Sequence, residues 1–103
     1  MAHCETSDLL INQTATGALV KGKSQWNVTV TNECPCTQLH VTLMCKGFDT
    51  VEPLNTSVIA KSGDLCLLIN DEQPIYPFAT LSFTYAWDDQ FAFKPNSSNV
   101  ACS

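Results

Sequence analysis

The sequence predicts an all-β fold: an antiparallel β-sandwich of about seven to eight short strands, stapled by disulfides, as one secreted cysteine-rich domain over residues 1–103. Three observations predict it. Apolar and polar residues alternate with a period of two in several short stretches. Turn-forming residues separate those stretches, and none of them carries a capped helical period over three turns. Six cysteines run from Cys4 to Cys102, an even count in a short chain.

The elements follow in chain order. A weak strand is expected over 8–13, before the Thr16-Gly17 turn signal. Residues 25–31 alternate cleanly, so Trp26, Val28 and Val30 should face inward with Asn27 and Thr29 outward. Residues 39–43 repeat the pattern, with Leu39, Val41 and Leu43 on the inner face and His40 outside. Weaker strands are expected over 57–61 and 65–70, separated by Ser62-Gly63-Asp64. Residues 81–87 give the strongest alternation, with Leu81, Phe83, Tyr85 and Trp87 inward. A final weak strand is expected over 90–93, after the Asp88-Asp89 turn. Alternation with one polar face is the mark of an antiparallel sheet rather than a parallel one buried on both sides.

Paired cysteines place the chain in an oxidising compartment, and the expected location is secreted, in the apoplast. Cys4, Cys34, Cys36, Cys45, Cys66 and Cys102 should all be bridged, with no free thiol. If each strand reverses the last, Cys4, Cys34 and Cys36 share one end, with Cys66 nearby. Cys45 and Cys102 then lie near the other end, which favours a Cys45–Cys102 bridge. The remaining pairings stay open, because six cysteines allow fifteen connectivities. Cys34-Pro35-Cys36 lacks the C-x-x-C spacing of a zinc site, and no second close pair follows, so no metal is expected. Four N-x-S/T triplets, at Asn12, Asn27, Asn55 and Asn96, agree with passage through a secretory route. No apolar run is long enough to span a membrane, and Met1-Ala2-His3-Cys4 is expected to be a mature or recombinant start. The formal charge is −5 and there is no arginine, so neither nucleic acid nor an anionic membrane is an expected partner.

Gly22 to Cys34 (Gly-Lys-Ser-Gln-Trp26-Asn-Val-Thr-Val-Thr-Asn32-Glu-Cys34) and Cys36 to Cys45 (Cys36-Thr-Gln-Leu-His-Val-Thr-Leu-Met-Cys45) carry a family resemblance. It continues through Gly47-Phe48, Glu52-Pro53, Gly63-Asp64-Leu-Cys66, Asn70-Asp71, Pro74-Ile75 and Phe83-Thr-Tyr85-Ala86-Trp87. On these residues the chain resembles the plant tapetum determinant family of small secreted cysteine-rich proteins, and most closely its uncharacterised branch. The resemblance implies an extracellular signalling ligand or accessory protein with a developmental role in plants. Its implied partner is the ectodomain of a leucine-rich-repeat receptor kinase.

Candidate chemistry is sparse, and the chain is expected not to be an enzyme: no catalytic residue and no cofactor are assigned. The acidic doublets Asp71-Glu72 and Asp88-Asp89 lie in turns, where solvated carboxylates are the usual reading. Asp88-Asp89 has no calcium-loop pattern around it. His40 has no nucleophile and orienting group beside it in sequence. The expected partner-binding residues are Phe48, Asp49 and Glu52 in one loop and Trp87, Asp88, Asp89 and Phe91 in another, an aromatic beside carboxylates in each, with Phe48 exposed and Trp87 and Phe91 partly exposed where they flank the turn. An alternative reading is a cell-wall polysaccharide-binding module resembling the expansin C-terminal domain. It would need Trp26, Tyr85, Trp87, Phe91 and Phe93 to form a flat exposed strip.

Overall fold

The computed structural model describes residues 4–102 as two antiparallel sheets packed face to face. Met1 to His3 and Ser103 lie outside the described residues. The strands are β1 (Leu9–Val20), β2 (Lys23–Asn32), β3 (Thr37–Met44), β4 (Ile59–Ser62), β5 (Leu65–Leu68), β6 (Thr80–Ala86) and β7 (Lys94–Ala101). One sheet has the order β1-β2-β6 and the other β4-β5-β3-β7. A short 3-10 turn, Thr6–Asp8, and a left-handed turn, Asn70–Glu72, complete the elements. No helix among the described residues is long and apolar enough to cross a membrane.

The alternation dictates the packing. In β2, Val28 and Val30 are fully buried and Trp26 packs against the core, while Asn27 lies on the opposite face of the sheet. In β6, Leu81, Phe83 and Tyr85 point the same way. The facing sheet contributes Val41, Leu43, Ile59, Cys66 and Leu68. Burying one such aliphatic or aromatic side chain contributes about 1.5–3 kcal/mol. The Trp26 indole N–H is enclosed in this core without a hydrogen-bond partner.

Three expectations need correction. The strand expected over 90–93 is not one: Phe91 and Phe93 alternate because both drop into the core as the chain enters β7, which starts at Lys94. In β3, Gln38 is the buried residue and Leu39 is only half-buried. His40 adopts a left-handed φ of 51° beside a break in the β3–β7 register, and this bulge shifts the inward set by one. Finally, the bridges are Cys4–Cys34, Cys36–Cys102 and Cys45–Cys66, not Cys45–Cys102. β7 runs antiparallel to β3 with Thr37 opposite Ala101, so the last residues return to the start of β3 and deliver Cys102 to Cys36. β5 runs antiparallel to β3 with Met44 opposite Leu65, so Cys45 meets Cys66 at the other end.

The registers define two ends. One holds the end of β2 at Asn32, the starts of β1, β3 and β6, and two disulfides. The other holds the β1–β2 turn, the ends of β3 and β6, and Cys45–Cys66.

Candidate functional site

The two loops singled out in the sequence do meet, at the Cys45–Cys66 end. Val51 donates its N–H to the Ala86 carbonyl at 3.0 Å, and Ala86 donates to the Thr50 hydroxyl at 2.9 Å. Residues 47–54 thereby wrap the open edge of β6. Phe48 is not the exposed anchor expected there. It is 3% exposed, and its ring meets Tyr85, Phe91 and Phe93 edge-on at 5.2, 5.4 and 5.1 Å. Gly47, at φ 78°, supplies the left-handed turn that sends Phe48 back under the sheet. Glu52 is also committed internally. Its carboxylate accepts from Gln25 Nε2 at 2.6 Å and from the Thr84 hydroxyl.

What remains outside at this end is Trp87 with carboxylates. Trp87 is half-buried and packs against Phe91, ring centroids 6.4 Å apart. Lys23 Nζ lies 5.6 Å from the Trp87 ring and pairs with Asp88 at 2.7 Å, so cation and carboxylate neutralise each other beside the indole. Asp49 and Asp89 are exposed. The flat aromatic strip of the polysaccharide reading is absent: Tyr85 and Phe93 are buried, and the rings meet edge-to-face or tilted inside the core. Tyr85 donates its hydroxyl hydrogen to Gln13 Oε1 at 2.7 Å and accepts from Phe91 N–H at 2.9 Å. Burial pushes its pKa above the ordinary phenol value, although the bond from Phe91 opposes the shift.

His40 is exposed, with Nδ1 2.9 Å from Asn99 Nδ2. It borders a cleft of about 400 Å³ where the chain from Leu68 to Pro74 stands away from β3. Leu39, Leu67, Ile69 and Pro74 make that cleft mostly apolar, and Thr42 is its one hydroxyl. The sulfur groupings close enough to hold an ion, around Cys4 with Cys36 and Cys102 and around Cys4 with Asp8 and Cys34, consist of disulfide sulfurs plus one carboxylate. A bridged sulfur offers no thiolate to a metal.

The opposite end holds what sequence reasoning missed. Asn32 and Gln38 are fully buried polar side chains. Asn32 Nδ2 donates to the carbonyls of Cys36 (2.8 Å), Ile75 (3.1 Å) and Tyr76 (3.3 Å), and its Oδ1 accepts from Gln38 Nε2 at 3.2 Å. Gln38 Oε1 accepts from Ser98 at 2.7 Å, and the Gln38 and Ile75 backbones bond reciprocally. This network holds the segment Tyr76-Pro77-Phe78 on the surface, with Tyr76 54% and Phe78 63% exposed. The available signal was two aromatics among prolines at Pro74 and Pro77, in a stretch with neither alternation nor helical period. Of the glycan acceptors, Asn12, Asn55 and Asn96 are exposed and Asn27 is half-buried.

The family model described as Tapetum determinant 1, C-terminal, matches residues 5–103. Two similar proteins come from Arabidopsis thaliana. One, named only as an uncharacterized protein, is 34% identical over 113 residues, which take in 91% of this chain and 88% of that one. The other, TPD1 protein homolog 1, is 29% identical over 101 residues, 96% of this chain and 55% of that one, so this chain spans about half its length. No solved structure matches the chain.

Proposed function

This chain belongs to the tapetum determinant 1 family, and on that premise we propose that it is a secreted signalling protein with a developmental role in plants, a ligand or accessory protein that binds the ectodomain of a leucine-rich-repeat receptor kinase. The observation that carries the reading is the reach of the family match, residues 5–103, which includes five of the six bridged cysteines and every strand. Three disulfides around a small two-sheet core suit a domain that works outside the cell. The four acceptor triplets agree with glycosylation on that route.

A protein partner is favoured over a wall polysaccharide by the aromatic packing. The flat strip that the polysaccharide reading needs would include Tyr85 and Phe93, and both are spent on the core. Catalysis is not part of the proposal, because the exposed His40 has an amide neighbour and no nucleophile paired with it.

The test is retention of oxidised, glycosylated protein on a panel of immobilised receptor-kinase ectodomains and, in parallel, on insoluble wall polymers. Saturable binding to an ectodomain is expected. Retention on cellulose or xylan with no ectodomain bound would overturn the reading.

A further inference from the structure

We infer that the end of the sandwich bearing Tyr76, Pro77 and Phe78 is the docking surface, and that the partner presents a basic protein surface with an apolar recess for the two rings. The inference rests on the receptor-ligand reading for the partner's class, and on the structure for its place and chemistry.

The first support is exposure combined with rigidity. Tyr76 and Phe78 are the largest exposed side chains of the described residues, and they sit two positions apart in one turn. That turn is fixed from beneath. Phe78 N–H donates to the Asn32 carbonyl at 2.8 Å, Ala79 N–H to the Tyr76 carbonyl at 3.1 Å, and the Asn32 side chain reaches the Tyr76 carbonyl. The Cys4–Cys34 and Cys36–Cys102 bridges flank the same Asn32. Aromatic side chains carried on a backbone fixed before binding lose less freedom on docking than ones on a mobile loop, which suits them to be energetic anchors.

The second support is backbone strain kept where stability does not ask for it. Phe78 has φ 62°, a left-handed conformation in which a bulky residue is an outlier and glycine or asparagine is usual. Asn70, Asp71 and Glu72 share that region, at 48°, 53° and 63°, so four of the six such non-glycine residues fall between 70 and 78. An exposed phenylalanine at a strained position adds nothing to the core. Its ring is the one asset the position gains over asparagine.

The third support is charge. All five lysines, Lys21, Lys23, Lys46, Lys61 and Lys94, lie in the other half, at the β1–β2 turn or near the Met44 end of β3. Five carboxylates, Asp49, Glu52, Asp64, Asp88 and Asp89, share that half with them. The remaining five, Glu5, Asp8, Glu33, Asp71 and Glu72, belong to the half that presents the aromatic turn. Among the described residues, the excess of carboxylates over lysines therefore lies in one half. Two exposed rings on the half that holds Glu33, Asp71 and Glu72 and no lysine fit a basic surface, which the field would orient during approach.

The test uses the oxidised chain and two probes. The first is the receptor ectodomain from the panel that retains it. Phe78→Asn keeps a residue that tolerates the left-handed backbone, so its thermal midpoint should match or exceed the parent's while affinity falls at least tenfold. Glu33→Gln with Glu72→Gln should flatten the loss of affinity between 50 and 300 mM salt, and Asp88→Asn with Asp89→Asn should change neither property. Parent-like binding by folded Phe78→Asn, or loss of binding only in the Asp88/Asp89 variant, overturns the assignment. The second probe is decalysine, titrated into isotope-labelled protein at low salt and read by amide shifts. Shifts confined to Glu33, Asp71, Glu72 and residues 76–78 uphold the surface, and shifts centred on Asp88 and Asp89 or spread evenly overturn it. If no ectodomain binds the parent, the receptor reading fails, and the decalysine map alone decides the surface.

Discussion

Replacing Asn32 by alanine should cost about 3 kcal/mol of folding stability, and the figure can be built from the bonds it makes. Asn32 is 0% exposed and donates to three carbonyls with two hydrogens. The Ile75 carbonyl keeps another donor, Gln38 N–H at 3.0 Å, so its loss is small. The Cys36 carbonyl loses its 2.8 Å bond, and Gln38 Nε2 is left with only a long contact, 3.4 Å, to the Glu5 carbonyl. Two buried groups thus lose their best partner, at about 1–3 kcal/mol each. In a domain of this size a loss of about 3 kcal/mol lowers the thermal midpoint by about 15 °C. Asn32→Asp adds a pH signature. A carboxylate facing carbonyl oxygens is disfavoured when charged, so its folded pKa lies above the unfolded value of about 4. The penalty is therefore absent below about pH 4 and grows as pH rises through the folded pKa. Urea denaturation of both variants at pH 4 and pH 7, disulfides intact, measures it. A loss under 1 kcal/mol for Asn32→Ala, or an Asp variant relatively more stable at pH 7, would refute the network as a buried and mutually satisfied unit.

Other outcomes follow from the same geometry. Phe48→Ala should cost about 3–5 kcal/mol by emptying the middle of the aromatic cluster while leaving any surviving folded fraction competent to bind, checked by denaturation and ectodomain binding on one preparation. Peptide mapping under non-reducing conditions should give the three bridges described and no reactive thiol. Serine at Cys36 and Cys102, which close a separation of 66 residues, should cost about 4 kcal/mol, against about 3 for the 21 residues closed by Cys45 and Cys66. Tyr85, its pKa raised by burial, favours the neutral phenol in the folded state. Its share of stability should be complete below pH 10 and fall as pH climbs through the folded value, and Tyr85→Phe should remove that alkaline loss in a denaturation series.

Much of the fold was legible because one physical signal, burial of alternate side chains, shaped it. β2 and β6 carry that signal in Trp26 to Val30 and Leu81 to Tyr85. β7 does not. Its residues are Lys-Pro-Asn-Ser-Ser-Asn-Val-Ala, and of the two that are half-buried, Pro95 and Ser98, the second meets Gln38 and Thr6 rather than an apolar wall. A strand whose inner face answers to a polar network shows no hydrophobic period, so 90–93 was the more strand-like text. Missing β7 also misplaced Cys102, and with it the favoured bridge. The site suffered from a related blindness. Phe48 and Phe78 each stand at or next to a left-handed backbone position in a loop. Only the paths of their loops, one under β6 and one over the Asn32 network, decide which ring is hidden.

Each sheet ends in strands whose outer backbone groups face no neighbour in the ladder: β1 and β6 in one, β4 and β7 in the other. Residues 49–52 blunt β6 by bonding Val51 to Ala86. The other three borders share a different attribute: Asn12 lies on β1, Asn96 on β7, and Asn55 in the turn that leads into β4. Carbohydrate on those asparagines would put hydrated bulk on the elements that form each unguarded border and hinder copies from zipping together. Material made in a bacterial host would meet its neighbours with those borders bare. Its tendency to associate would then describe the expression system rather than the protein.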